Sequence, residues 1–312
     1  MSEDGCLYAV NAPMPPTGEQ FVIADGGTRA VVTEVGAVLR AFEVDGRAYA
    51  ETFDETERPP RGSGSVLVPW PNRVRDGRWT WRGTTQQLAL TEPAAGNAIH
   101  GLLRYTQWRP VERTPDSITL AAVAVPQPGW PVPVATTVRY AVGPDGLRVT
   151  HTVRNAGPEP VPFGVGAHPY PRVGEAATDD IVLTLAASTV LPLDDRQLPA
   201  GPAVPVTGDD DFRGGLPLRG RVLDAAFGGA APAPGDDLVR HRLDAPDGAV
   251  ELWADPDFRW VQVYTPDDRP GRGRVVAVEP MTCPPDALNS GQDLITLAPG
   301  ETWTGSWGLR PV

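Results

Sequence analysis

The sequence predicts an all-β protein, a large antiparallel β-sandwich or barrel, on three observations. Two-residue alternation of apolar and polar side chains recurs along the chain, turn-forming residues punctuate it, and no helical periodicity is convincing. Gly and Pro number 34 and 36, while 41% of residues are hydrophobic. That apolar content excludes a disordered polymer, and short strands joined by many turns use Gly and Pro heavily. At 312 residues the chain can bury a sizeable core, and length alone leaves one large all-β domain or two ordinary ones open.

Taken in order, the first clear element is a hairpin expected around Asp76-Gly77, because Trp79 and Trp81 alternate with polar neighbours beyond it. The next is stronger. Val138-Arg-Tyr-Ala-Val142 precedes Gly143-Pro-Asp-Gly146, after which Leu147, Val149, His151 and Val153 share one face and Arg148, Thr150, Thr152 and Arg154 the other. Two alternating runs around such a turn read as a hairpin. The stretch 196–240, rich in Pro, Gly, Ala and Asp, is either a linker or a set of long surface connections. Alternating strands resume after it with no change of period, so the sequence predicts connections within a single domain spanning 1–312. Trp260, Gln262 and Tyr264 alternate with Val261 and Val263, and Trp303, Gly305, Trp307 and Leu309 form a last alternating run.

Charge narrows the function. The net charge is -12, and all 27 basic residues are arginine. Nucleic acid and anionic membrane partners need a basic footprint, so neither is expected, whereas a neutral polar ligand such as a sugar is compatible. No apolar run reaches membrane-spanning length, and Met1-Ser2-Glu3-Asp4-Gly5 does not begin a secretory leader. Cys6 and Cys283 supply neither a disulfide framework nor zinc spacing, which fits a reduced, cytoplasmic setting.

Four histidines occur, which makes them a useful filter. His151 lies on the apolar face of its strand and reads as a packed, hydrogen-bonded core residue. His241, in Val239-Arg-His-Arg242, reads as a surface residue. His100 and His168 lie in turn-like, glycine-containing segments, Ala98-Ile-His-Gly101 and Gly164-Val-Gly-Ala-His-Pro-Tyr-Pro171, where a rigid sheet usually presents a site. Glu279 ends the apolar run Val275-Val-Ala-Val278. A carboxylate there is costly to bury unless it is used or is paired with backbone amides of the following loop. Within Pro69-Trp-Pro-Asn-Arg73, Asn72-Arg73 joins an aromatic to planar polar groups that suit sugar hydroxyls, though a surface ion pair explains it equally well. Asp224 has no independent signal. The Asp runs at 194–195, 209–211 and 236–237 read as solvated loops without a calcium-loop pattern. Nucleotide-binding glycine loops, a Gly-x-Ser-x-Gly elbow and His-Glu-x-x-His are all missing.

In order along the chain, Gly36-Ala37, Pro71-Asn-Arg73, Asn97-Ala-Ile-His-Gly101, Gly166-Ala-His-Pro-Tyr170, Leu223-Asp-Ala-Ala-Phe227 and Glu279-Pro-Met-Thr-Cys-Pro-Pro-Asp-Ala-Leu-Asn289 resemble the aldose 1-epimerase, or galactose mutarotase-like, family. Leu297-Ala-Pro-Gly-Glu301 and the Trp-rich last strand extend the resemblance over almost the whole chain. It implies the family's supersandwich fold and interconversion of the α and β anomers of a free aldose, with His168 as general acid and Glu279 as general base. It further implies sugar contacts from Arg73, His100 and Asp224, no cofactor, and a monomer or homodimer. Pro171 departs from the family, which usually carries an aromatic there, and this bears on pocket shape.

The chemistry explains those residue types. Ring opening removes a proton from the C1 hydroxyl and delivers one to the ring oxygen, for which a carboxylate base and an imidazolium acid on opposite sides suffice. Closing reverses the roles, so neither metal nor nicotinamide is required. A glycoside hydrolase is a rival, but would need a second acid facing Glu279. A non-catalytic sugar-binding protein would tolerate loss of either His168 or Glu279. A sugar-phosphate mutarotase would need added positive charge, for which Arg104 and Arg172 are the nearest candidates.

Overall fold

In the computed structural model residues 14–312 are described, so Cys6 and the N-terminal segment discussed above lie outside the described residues. The strongest alternating run forms the expected hairpin. Val134–Gly143 pairs antiparallel with Gly146–Asn155, and Gly143 opposes Gly146 across a two-residue turn. Leu147, Val149, His151 and Val153 are buried while Arg148 and Arg154 are exposed, as a half-buried strand requires.

This hairpin lies inside a nine-stranded sheet as its third and fourth strands. Its order is Arg109–Arg113, Ser117–Ala124, Val134–Gly143, Gly146–Asn155, Thr302–Pro311, Gly248–Ala254, Val239–Ala245, Val182–Thr184 and Leu216–Pro217. A seven-stranded sheet follows the order Val204–Pro205, Thr189–Val190, Asp224–Gly228, Trp260–Tyr264, Ala277–Met281, Gly166–Ala167 and Val66–Leu67. One hydrophobic cluster takes Val138, Val149, Leu252 and Trp307 from the first sheet and Phe227, Val261, Val263 and Val278 from the second. The two sheets therefore share a core, as in a β-sandwich. Each such buried side chain contributes about 1.5–3 kcal/mol of transfer free energy. Among the described residues the one α-helical segment is Ala287–Ser290, and no helix is long and apolar enough to cross a membrane.

Three local expectations are corrected. Asp76-Gly77 is a turn, but the strands it joins are not partners: Arg73–Arg75 pairs with Asn97–Ile99, and Arg78–Trp81 with Thr84–Gln87. Local alternation reveals strands, not which neighbour each one finds. The stretch 196–240 is more than surface connection. Leu198, Val206, Phe212 and Leu218 are buried, and Asp224–Gly228 is an interior strand of the seven-stranded sheet. Its short Ala-rich span hid the two-residue period.

His241 is buried rather than superficial, with 1% exposure. Val239, His241 and Leu243 face inward on one strand, a period masked by the flanking arginines. The Ala186 amide donates to His241 Nδ1 at 3.2 Å. His151 is a core histidine as expected, and Trp307 Nε1–H donates to its Nε2 at 3.0 Å. His151→Gln therefore lowers stability by about 1–3 kcal/mol, the cost of disturbing a buried hydrogen bond, and leaves catalytic turnover near that of the parent. Thermal unfolding followed beside polarimetric assay checks both halves. Lost turnover at unchanged stability would place His151 in the chemistry instead.

Candidate active site

Alternation in the seven-stranded sheet builds the site floor. Val261, Val263 and Val278 point into the core, so residues of the opposite parity project from the other face. Gln262 lies opposite Glu279, and Asp224 opposite Tyr264. Glu279 is thus the middle residue of Ala277–Met281, not the end of its apolar run. His168 follows Gly166–Ala167, where Gly166 pairs with both Met281 and Leu67. Ala167 turns into the core, which sends His168 to the same face as Glu279.

Two loops form the facing wall, and each holds a non-glycine residue in the left-handed region, Asn72 at φ 53 and His100 at φ 63. Such backbone is disfavoured, and it persists where surrounding bonds enforce it. Here the His100 amide donates to the Asn72 carbonyl at 2.9 Å, and the Asn72 amide donates to His100 Nδ1 at 3.1 Å. Gly101 follows, where a Cβ would lie 2.1 Å from the Val68 carbonyl oxygen. Only glycine permits that approach.

All six residues singled out from the sequence, Asn72, Arg73, His100, His168, Asp224 and Glu279, line one open cleft of about 330 Å³. This lies at the small end of the range for ligand sites. His168 Nε2 stands 3.4 Å from Glu279 Oε1, so acid and base candidates are side by side, not on opposite sides as expected. The correction has a simple cause, since both oxygens of a hemiacetal are bonded to one carbon. The His168 ring also stacks on Tyr170 at 5.3 Å and meets His100 edge-on at 5.4 Å. Glu279 Oε2 and His168 Nδ1 are buried without a hydrogen-bond partner among the described residues. Unpaired buried polar atoms are rare, and those of Glu279 and His168 leave hydrogen-bonding capacity beside the cleft.

Burial governs the charges. It holds His168 down at about 3, helped by Arg104, Arg269 and Arg73, and drives His100 well below its usual range. Burial raises Glu279 well above the ordinary carboxylate range, with Asp224 adding to the rise and Arg73 opposing it. Contact between His168 and Glu279 favours the ion pair, and burial favours the neutral pair. The two forms differ only in which partner carries the shared proton. Burial opposes the charge on Arg73, yet its bonds to Glu92 and the nearby Asp224 raise its affinity for the proton overall.

His100, His168 and Glu279 bring three possible metal-ligand atoms within 4.8 Å of one another. The hydrogen bond to His100 argues against their use as a metal centre. An imidazole that accepts at Nδ1 and is held neutral carries its proton on Nε2, which leaves no lone pair there for a metal. Chelators are accordingly expected to leave activity unchanged. Loss of activity in chelator, restored by a divalent ion, would overturn the tautomer assignment.

Several cleft residues escaped the sequence reading. Gln262 accepts from Asn72 Nδ2 at 3.2 Å and donates to Asp224 at 2.5 Å. A polar residue between Trp260 and Tyr264 in a strand buried on both faces was the available signal. Glu92 receives Arg73 at 2.9 Å, a pairing no local pattern announces. Arg104 lines the cleft, whereas Arg172 is directed to Glu51 and Glu175. Pro171 bridges to Ala50 and is not among the cleft residues.

A family model described as aldose 1-epimerase matches residues 19–310. The chain is 32% identical over 297 residues to the uncharacterized protein YihR of Escherichia coli strain K12, covering 95% of this chain and 94% of that one. It is 25% identical over 208 residues to galactose mutarotase of Sus scrofa, with 62% of this chain and 59% of that one covered. Among solved structures, the GalM/aldose epimerase homologue of C. elegans matches with a TM-score of 0.82 at 20% identity, over 94% of this chain and 98% of that one. A galactose mutarotase-like protein of Clostridium acetobutylicum matches with a TM-score of 0.82 at 18% identity, over 93% and 94%. At those identities the structural likeness establishes a shared fold.

Proposed function

The chain belongs to the aldose 1-epimerase family, and from that premise we propose that it is a mutarotase interconverting the α and β anomers of a free aldose without a cofactor. The family and its mutarotase relatives support an isomerase of mutarotase type. The observation that carries the finer reading is the buried pair of His168 and Glu279, 3.4 Å apart at the floor of a cleft of monosaccharide size.

Opening the ring moves one proton off O1 and one onto O5. Glu279 takes the first and His168 gives the second, with exchanged roles on closing. Sugar hydroxyls bonding to the charged forms offset the desolvation that favours the neutral pair in the empty cleft. Arg73, Asp224 and Gln262 form a linked set suited to ring hydroxyls, and His100 presents Nε2–H as a donor. These groups would hold C1 over the pair and steady charge as it develops. A phosphate dianion is disfavoured, because Arg73 is already committed to Glu92 and Asp224 and those two carboxylates line the same cleft.

The test is polarimetry on pure α-anomers of several aldoses, each with its 6-phosphate, after subtracting spontaneous mutarotation. Faster approach to anomeric equilibrium with unphosphorylated sugars is expected. No acceleration with any sugar would remove the mutarotase reading, and preference for phosphates would move it to the sugar-phosphate branch.

A further inference from the structure

Three guanidiniums border the cleft, and one is left over. Arg73 is paired with Glu92 and Asp224, and Arg61 with Asp268. Arg104 makes one hydrogen bond within the described residues, from Nη2 to the Ile99 carbonyl at 3.2 Å. Its guanidinium also lies 5.1 Å from the centre of the Tyr105 ring. The acid nearest in influence is Glu92, whose oxygens already receive Arg73 and Asn97. Among the described residues Arg104 therefore stands in no ion pair, and a half-buried guanidinium facing a cleft with unused donors is costly unless a ligand meets them.

We propose that Arg104 is an anion subsite of this cleft, selecting an aldose that carries one singly charged oxyanion, of which a hexuronic acid is the simplest. The proposal rests on the mutarotase reading and narrows it. A guanidinium fork matches a carboxylate in two parallel hydrogen bonds. The Ile99 carbonyl and the Tyr105 ring hold the fork in place, so little freedom is lost on binding. The fork sets the class: a carboxylate takes both of its parallel donors and brings a single charge, whereas a phosphate dianion would bring a second charge beside Glu92 and Asp224 in a protein of net charge -12. Because Arg104 and the His168–Glu279 pair line the same cleft, the anion and the anomeric carbon belong to one small molecule.

Catalytic efficiency for glucose, glucuronic acid and glucose 6-phosphate decides the matter, measured at neutral pH and moderate salt in the parent protein, Arg104→Gln and Arg104→Lys. The parent is expected to favour the uronate over glucose by about 10- to 100-fold, the fold-change a charge-assisted hydrogen bond supplies. That ratio should fall to about one in Arg104→Gln and stay intermediate in Arg104→Lys, which keeps the charge and loses the fork. A parent ratio at or below one, or a preference that survives in Arg104→Gln, sinks the subsite while leaving the mutarotase reading intact. Preference for the 6-phosphate over the uronate overturns the single-charge assignment. Turnover of none of the sugars removes both proposals together.

Discussion

Glu279→Gln and His168→Asn are each expected to lower catalysed mutarotation by about 10²–10⁴-fold, the usual worth of a general acid or base. Both groups act on one proton inventory, so the double variant should be little worse than either single one. Stability separates this outcome from mere damage. Glu279 has a folded-state affinity for its proton raised by burial, so its ionisation destabilises the fold as pH rises above the ordinary carboxylate range. Glu279→Gln removes that penalty and should be at least as stable as the parent at neutral pH. If Glu279 were instead a structural acid bonded to backbone amides, the same change would lower stability. Near-parental turnover in both single variants, with spontaneous mutarotation subtracted, would remove the proposed roles.

Stability is expected to fall steeply as pH drops from about 6.5 towards 4, where histidines of an unfolded chain become charged. In the folded protein burial holds His151 at about 3, His168 at about 3 and His241 at about 4, and places His100 well below its usual range. Above the unfolded value each is neutral in both states and contributes no pH dependence. Below it the unfolded chain takes up protons that the folded chain refuses, so stability is lost until the folded value is reached. Each histidine adds roughly 1–1.5 kcal/mol per pH unit in that window. Against a typical total of about 5–15 kcal/mol, four together are enough for acid unfolding near pH 5. Glu279 opposes the trend only as a single group. Thermal unfolding across this range tests the sign, and combining His151→Gln with His241→Gln should flatten the slope. A flat profile in the parent would mean that the buried histidines gain protons without unfolding.

Legibility from sequence followed the range of the interaction. The hairpin 134–155 was plain, because its apolar period and turn lie within one contiguous run. The pairing of Arg73–Arg75 with Asn97–Ile99 was not, since nothing local distinguishes that partner from the adjacent strand. Asp224 was named through the family resemblance alone, but Arg73, His100, His168 and Glu279 stood out because rare polar groups sat in glycine- or proline-shaped segments. Gln262 and Glu92 did not, and the first is visible only once both faces of its strand are known to be covered.

By itself the sequence determined the all-β class, the inward faces of the long strands and the glycine- or proline-shaped segments that hold Arg73, His100, His168 and Glu279. These are properties of side-chain period and backbone permissiveness, which act over a few residues. Only the tertiary structure decided that Glu279 and His168 touch, that His100 accepts at Nδ1, that His241 is buried, and that Arg104 forms no ion pair among the described residues. Each depends on groups brought together across long separations, where burial and the placement of neighbouring charges set protonation and pairing.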